Sequence, residues 1–166
     1  YCRLPLAELI VHPRVQKDRY QGSPRWEPYG ATLEQAPFPV AYNGDIFGVD
    51  DLNALLDAYP ETQHVMLGRG IVANPALARM MRGGNPATLD ELAHFHDRLF
   101  CEYEALMGAD NAAARMKEWW SYAKCCFADP ASVHLAVRGV RGQAEYMAAV
   151  ERIFCTEALA DEPRLR

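Results

Sequence analysis

The chain has 166 residues, of which 50% are hydrophobic and 23% charged, and its formal net charge is −5. This composition is typical of a soluble globular protein, because it is too rich in apolar residues for a disordered chain. No run approaches the roughly 18 apolar residues that a membrane-spanning helix needs, so we expect no membrane span. The sequence begins at Tyr1 rather than at Met, and we expect it to be part of a longer protein.

The cysteines form a poor disulfide framework. There are five of them, an odd number, and two are adjacent, Cys125 and Cys126. We therefore expect reduced thiols and a cytoplasmic location. No pair of Cys or His residues has the spacing of zinc ligands, so we expect no metal site.

Charge is unevenly distributed along the chain. Residues 1–111 carry a net charge of −6, whereas residues 112–155 carry +2. Binding of a phosphate backbone depends on local charge rather than on the sum over the chain. Nucleic acid therefore stays among the expected partners, although the whole chain is acidic.

Three short apolar runs in the first half predict β-strands. The runs are Leu9–Val11, Phe38–Tyr42 and His64–Leu67. Runs of this length without alternation are typical of parallel strands that are buried on both faces. Helices are expected after the second run, ending at Pro60, and after the third, with Asn74 as N-cap and Pro75 in the first turn. The strand ends lie 31 and then 25 residues apart, close to the roughly 31 residues per unit of a (β/α)8 barrel.

From Thr88 onward the pattern predicts helices only. Thr88 and Glu91 have the spacing of a capping box, and Gly108 is expected to end the helix that they begin. Three further helices are predicted at about Ala112–Phe127, from Asp129 onward and at Gln143–Phe154. Four helices with short connections are typical of a small bundle. The fold class is therefore α/β in the first half plus all-α in the second.

Polar or glycine-containing motifs follow each predicted strand. His12 follows the first, Asn43-Gly44-Asp45 the second and Gly68-Arg69-Gly70 the third. Glycine amides can approach an anion closely and Arg69 adds positive charge, so one interpretation is a phosphate site at the carboxyl ends of the strands. The other interpretation is that these are tight turns that need glycine, with His12 in a structural hydrogen bond.

Two segments combine basic and aromatic residues. The first is a predicted loop that contains Lys17, Arg19, Tyr20, Arg25 and Trp26. The second is the helix from Ala112, where a spacing of about 100° per residue places Arg115 and Tyr122 on one edge of an apolar arc and Lys117 on the other. RNA contact would explain both segments. A solvated loop, and long side chains around a bundle core, would explain them equally well.

Four motifs in a fixed order carry a family resemblance. They are LIVHPRVQKDRY at Leu9–Tyr20, VAYNGDIF at Val40–Phe47, VMLGRGIVANP at Val65–Pro75, and ARMKEWWSY at Ala114–Tyr122 followed by Val137-Arg138. Together they resemble the bacterial tRNA-dihydrouridine synthases over nearly the whole chain, up to about Phe154. The resemblance implies the last three βα units of a TIM barrel over residues 1–86 and a helical tRNA-binding domain over residues 87–166.

The resemblance also implies an activity and its site residues. In this family FMN, reduced by NADPH, reduces a uridine of the tRNA D-arm to dihydrouridine. The positions that match the family's FMN contacts are His12, Asn43, Gly44, Asp45, Gly68 and Arg69. The positions that match its tRNA contacts are Tyr20, Arg115, Lys117, Tyr122 and Arg138.

The family's catalytic groups lie upstream of every residue in this chain. They are a proton-donating Cys and a Lys near the flavin, so none of the five cysteines here is expected to be catalytic. We expect the N-terminal half of the barrel to be missing and this part to be inactive alone. Two alternatives stay open, another FMN-dependent TIM-barrel oxidoreductase of the dihydroorotate dehydrogenase type and a non-catalytic RNA-binding remnant.

Overall fold

The computed structural model describes residues 3–15, 22 and 24–165. Its contacts divide the chain into two compact units, Tyr1–Gly70 and Ile71–Arg166. This division falls earlier in the chain than the domain boundary predicted between residues 86 and 87, which stays a prediction.

The first unit contains a parallel three-stranded sheet in the order β1-β2-β3. The strands are β1 (Leu9–Val11), β2 (Val40–Tyr42) and β3 (His64–Val65). The prediction of three parallel strands is confirmed, although β2 and β3 are shorter than their apolar runs. Burial on both faces is found only for the central strand β2. It is wrong for β1, where Ile10 is 49% exposed, because β1 is at the edge of the described sheet.

Helix α1 (Trp26–Gln35) was not predicted from the sequence, which placed its first residue, Trp26, in a loop. Its Tyr29 is fully buried and packs edge-on against Tyr42, with ring centroids 5.0 Å apart. A side chain at Gly30 would come within 2.4 Å of the Tyr59 ring. Packing therefore requires a glycine at position 30, although glycine lowers the local helix propensity. Pro28 in the first turn makes the helix still harder to predict from the sequence.

Helix α2 (Val49–Ala58) ends as predicted, directly before Tyr59 and Pro60. The helix predicted from Pro75 is shorter than expected and is α4 (Leu77–Met80), and a further short helix, α3 (Arg69–Ala73), precedes Asn74. Asn74 is 98% buried and its carboxamide oxygen accepts a hydrogen bond from the Ala76 nitrogen at 3.1 Å. Asn74 thus closes a turn between α3 and α4, and the N-cap of α4 is Ala76 rather than the predicted Asn74.

The second unit contains the helices predicted from Thr88 onward. They are α5 (Leu89–Met107), α6 (Ala109–Ala123), α7 (Pro130–Arg138) and α8 (Gly142–Thr156). The capping box is confirmed by hydrogen bonds in both directions between Thr88 and Glu91. Hydrogen bonds from Arg79 and from the Thr88 amide lower the pKa of Glu91 to about 2. Helix α6 ends earlier than predicted, because a 3₁₀ turn (Lys124–Cys126) follows it.

The core of the second unit is rich in aromatic rings. The apolar arc predicted on α6 is confirmed, since Met116, Trp119, Trp120 and Ala123 are all buried. The core also contains His96, a fully buried polar side chain that the sequence did not indicate. Burial lowers the pKa of His96, and the neighbouring Asp97 opposes that shift.

Candidate functional site

The residues that follow the three strands lie together at the carboxyl edge of the sheet. The Asn43 nitrogen donates to Val11 O at 2.9 Å, and the Met66 nitrogen donates to Tyr42 O at 2.8 Å. His12 Nδ1 contacts the Asn43 carbonyl oxygen. The Asn43 carboxamide reaches Met66 Sδ at 3.4 Å. The parallel register therefore connects all three loops, as their order in the sequence predicted.

Asp45 forms ion pairs with two arginines from the loops on either side of it. One oxygen contacts Arg14, and the other accepts a hydrogen bond from Arg69 Nη2 at 2.6 Å. The Arg14 side chain is 4% exposed, and it also donates to Gly22 O at 2.7 Å. Two guanidinium groups thus lie beside one carboxylate at the ends of the strands, and guanidinium groups are common partners of phosphate.

Arg14 was not among the site residues predicted from the sequence. It lies two residues after His12 at the end of β1, a position from which it reaches Asp45 after β2. The sequence feature that could have identified Arg14 is a basic residue at the end of one strand followed by an acidic residue at the end of the next. Phe47 was also missed, and its ring lies 5.2 Å from the Arg69 guanidinium carbon, close enough for a cation–π contact.

The two glycine motifs have different structural roles. A Cβ atom at Gly44 would lie 1.9 Å from the Tyr42 hydroxyl, so this glycine is required by the packing of a neighbouring side chain. A Cβ atom at Gly68 would meet nothing within 4 Å. The turn interpretation is wrong for both motifs, because the glycines with a positive φ in the described chain are Gly22, Gly83, Gly108 and Gly142. The contact with Tyr42 explains Gly44 without an anion. At Gly68 the space beside the backbone is open, as an anion-binding loop requires.

The predicted basic and aromatic loop lies only partly in the described chain. Tyr20, Lys17 and Arg19 lie outside the described residues. Trp26 is the first residue of α1, and its indole nitrogen donates to the Tyr42 hydroxyl at 3.1 Å. The loop prediction is wrong for Trp26, because its ring serves the packing of the first unit.

The other four residues expected to contact tRNA lie in the second unit (Ile71–Arg166), called the helical unit below, and they do not all lie together. Arg115 and Tyr122 line the same pocket, which confirms that they share one edge of α6. Arg115 also pairs with Glu118 at 2.5 Å. Lys117 donates to the Val140 carbonyl oxygen on a different side, and Arg138 is exposed at the end of α7.

Some features are absent from the part of the chain that the structure describes. None of its helices is long and apolar enough to cross a membrane. No three His, Cys, Asp or Glu side chains within residues 3–15, 22 and 24–165 converge as a metal site requires. Of the cysteines described as free thiols, Cys125 and Cys126 are buried and Cys101 and Cys155 are exposed.

Comparison with known proteins gives a family match that includes the strand-end cluster, that is, Arg14, Asp45 and Arg69. The model of the family described as dihydrouridine synthase (Dus) matches residues 4–116. The chain belongs to the dihydrouridine synthase family. The matched region contains the whole strand-end cluster and reaches the first turns of α6.

Several curated relatives have the same name, tRNA-dihydrouridine(16) synthase. The protein from Ralstonia nicotianae is 29% identical over an alignment of 164 residues, with 90% of this chain and 49% of that protein covered. The protein from Cupriavidus necator is 29% identical, with 92% of this chain and 49% of that protein covered. The protein from Neisseria meningitidis serogroup A is 32% identical, with 78% and 42% covered. The chain thus spans about half the length of the curated relatives that it matches.

Membership of the dihydrouridine synthase family argues against one alternative left open by the sequence, an oxidoreductase of the dihydroorotate dehydrogenase type. An enzyme of the dihydroorotate dehydrogenase type would share phosphate-binding loops, but the matched family is a different one. The resemblance to the dihydrouridine synthases is therefore confirmed.

Proposed function

We propose that this chain is the C-terminal part of a tRNA-dihydrouridine synthase. The intact enzyme would be an oxidoreductase that reduces a D-arm uridine of tRNA, using FMN and NADPH, in the cytoplasm. Position 16 is the proposed uridine, because the relatives from Ralstonia, Cupriavidus and Neisseria are named for it. The observation that carries the proposal is the pair of arginines, Arg14 and Arg69, that meet at Asp45 inside the family match.

The cluster fits the phosphate group of FMN in charge and in space. Arg14 and Arg69 place two guanidinium groups beside Asp45, and Gly68 leaves open space beside its backbone. We assign phosphate binding to Gly68 and Arg69, with Asp45 orienting the guanidinium group. His12, Asn43 and Gly44 complete the proposed FMN contacts. FMN, when bound, supplies the hydride that adds to the uracil ring, and the chain's own residues hold and orient it.

The helical unit is proposed to bind tRNA. The contacts assigned to it are Arg115, Lys117, Tyr122 and Arg138, and Tyr20 from the first half of the chain is assigned to the same role. Residues 112–155 carry a net charge of +2 in an acidic chain, which supports an RNA-facing surface. The proposed arrangement is three terminal βα units of a TIM barrel, followed by a helical tRNA-binding domain from residue 87.

The first unit supports the proposal that a larger barrel is needed. β1 is an edge strand in the described sheet, and Ile10 in it is 49% exposed. A groove of about 480 Å³ lies beside it, and most of its lining residues are apolar, among them Val11 and Phe38. An open edge with exposed apolar side chains is unfavourable in isolation, and a barrel removes it. The N-terminal half is the proposed partner, and without it this part is proposed to be inactive.

The test is reconstitution. The 166-residue chain is purified alone and together with the N-terminal half of a full-length relative, and each sample is assayed for dihydrouridine in unmodified tRNA. We expect dihydrouridine only in the reconstituted sample, and flavin absorbance that is stronger there. Arg69→Ala should lower FMN affinity at least tenfold, whereas Arg82→Ala, at an exposed position, should leave it unchanged. Turnover by the chain alone would contradict the proposed inactivity, and equal FMN binding by both variants would contradict the phosphate site.

The RNA-binding remnant is the second candidate, favoured by the separate compactness of the helical unit. It predicts salt-sensitive tRNA binding without any flavin binding, even after reconstitution. Flavin absorbance of the reconstituted protein therefore separates the two functions.

A further inference from the structure

A pocket of about 520 Å³ lies within the helical unit, between α3, α5 and α6. This volume lies in the range of about 300–1,000 Å³ that is typical of small-molecule sites. The residues that give the pocket its chemistry are Phe95, Tyr103, Arg115, Glu118, Trp119 and Tyr122. Four of these six are aromatic and two are oppositely charged.

The aromatic side chains offer flat surfaces for a ring. Phe95 is 39% exposed although it is a large apolar residue, and its ring lies 5.9 Å from that of Trp119. The indole nitrogen of Trp119 is shielded from solvent, so its ring presents an apolar face rather than a hydrogen-bond donor. Phe95 is thus the exposed ring, with the buried Trp119 ring beside it, and an exposed aromatic ring is a surface on which an unstacked nucleobase packs.

The charged pair restricts which ring the pocket would bind. Glu118 accepts from Arg115 at 2.5 Å, and the two side chains are 63% and 53% exposed. A carboxylate only accepts hydrogen bonds, so it favours a ring edge that carries N–H groups. The guanidinium group beside it has further donors for a phosphate or a carbonyl oxygen.

We propose that this pocket binds one unpaired nucleobase with an N–H-rich edge, and guanine fits it best. Guanine presents two adjacent N–H donors to a single carboxylate, whereas uracil presents one N–H between two carbonyl oxygens. The pocket would thus be a second base-binding subsite, distinct from the site of the uridine that is reduced. This inference rests on the proposed tRNA-binding function and names the part of the helical unit that reads a base.

The first experiment titrates the 166-residue chain with GMP and with UMP while the indole NMR resonance of Trp119 is followed. We expect saturable shifts with GMP and at least about fivefold weaker binding of UMP. Phe95→Ala should weaken GMP binding about fivefold or more, the usual loss for one stacking partner. Glu118→Gln should reduce the preference for GMP over UMP.

Leu106→Ala is the matched control, because Leu106 lies on the same helix as Phe95, is 78% exposed and does not line the pocket. It should bind GMP as the unchanged chain does. Thermal unfolding of every variant separates loss of binding from loss of fold. The proposal is overturned if Trp119 does not respond to GMP, or if the alanine variants at 95 and 106 bind it equally.

A second experiment separates this inference from the proposed function. The same variants are assayed for tRNA binding, in the chain alone and in the reconstituted protein. If tRNA binds and Phe95→Ala does not change its affinity, the proposed base-binding role of the pocket is contradicted, whereas the proposed tRNA-binding function is not. If GMP occupies the pocket but tRNA does not bind, the function is wrong and the pocket stands. A loss of stability by Phe95→Ala seen only after reconstitution, with tRNA affinity unchanged, would show that protein covers the pocket and would overturn the inference.

Discussion

Tyr146 accepts a hydrogen bond from the indole nitrogen of Trp120 across 2.9 Å, and both side chains are fully buried. The same hydroxyl lies 2.7 Å from His96 Nε2, and His96 Nδ1 lies 2.9 Å from Asp97 Oδ1. Because an indole only donates, the Tyr146 proton is available to His96 Nε2, and Nδ1–H then donates to Asp97. All of these polar atoms have a hydrogen-bond partner only while the His96 side chain is neutral.

Replacing Tyr146 by Phe should therefore destabilise the helical unit. The change leaves the Trp120 indole N–H and His96 Nε2 buried without the hydroxyl, and we expect a loss of about 2 kcal/mol in the free energy of unfolding. Urea unfolding followed by tryptophan fluorescence measures it. Tyr103→Phe removes a hydroxyl from a half-buried ring and should cost less than half as much. Equal losses would show that the buried network adds nothing.

The neutral form of His96 also makes stability depend on pH. Burial lowers its pKa in the folded chain, whereas in the unfolded chain it titrates near 6.5. The unfolded state therefore binds the proton first, so the stability is fully present above about pH 6.5 and falls as the pH drops towards the folded pKa. The slope from this one group is at most about 1.4 kcal/mol per pH unit.

Urea midpoints at pH 7.5, 6.5 and 5.5 test this dependence. The unchanged chain should lose stability between the second and third values more steeply than His96→Gln, which cannot titrate at that position. Parallel curves for the two proteins would assign the pH dependence to other groups.

The two strand-end glycines should respond differently to alanine. Gly44→Ala places a Cβ atom 1.9 Å from the Tyr42 hydroxyl, so we expect at least about 2 kcal/mol of destabilisation from overpacking. Gly68→Ala meets nothing within 4 Å and should change stability by less than about 1 kcal/mol, but it should weaken FMN binding in the reconstituted enzyme. Thermal unfolding and flavin titration measure both effects. A stable Gly44→Ala protein would contradict the packing role of this glycine.

These glycines show how far the sequence could predict the site. It placed His12, Asn43-Gly44-Asp45 and Gly68-Arg69 at strand ends, because short apolar runs and their order suffice for that. It could not separate Gly44 from Gly68, since the separation depends on where the Tyr42 ring lies. Helix α1 was missed for a related reason: Gly30 lowers its local propensity, and the Tyr59 ring that requires this glycine lies 29 residues further along the chain.

The balance of charge around Asp45 predicts what its removal does. Asp45→Asn removes the negative charge that the guanidinium group of Arg14, a side chain only 4% exposed, contacts at this position. We expect the free energy of unfolding of the first unit to fall by roughly 2 kcal/mol, less than for a fully buried pair because Asp45 is 22% exposed. Asp57→Asn is the matched control on the exposed surface of α2. If the two variants unfold at the same denaturant concentration, the bridge does not stabilise the unit.

Lys117 and Arg138 are both assigned to tRNA, yet their surroundings predict different effects. Lys117 donates to the Val140 carbonyl oxygen and is half-buried, whereas Arg138 is exposed at the end of α7. Lys117→Ala should therefore lower the unfolding temperature of the helical unit as well as its tRNA affinity. Arg138→Ala should lower tRNA affinity alone and reduce the slope of log affinity against log salt by roughly one. Binding isotherms at several salt concentrations, with thermal unfolding of both variants, measure these effects. An unchanged salt slope in Arg138→Ala would remove this arginine from the RNA-binding surface.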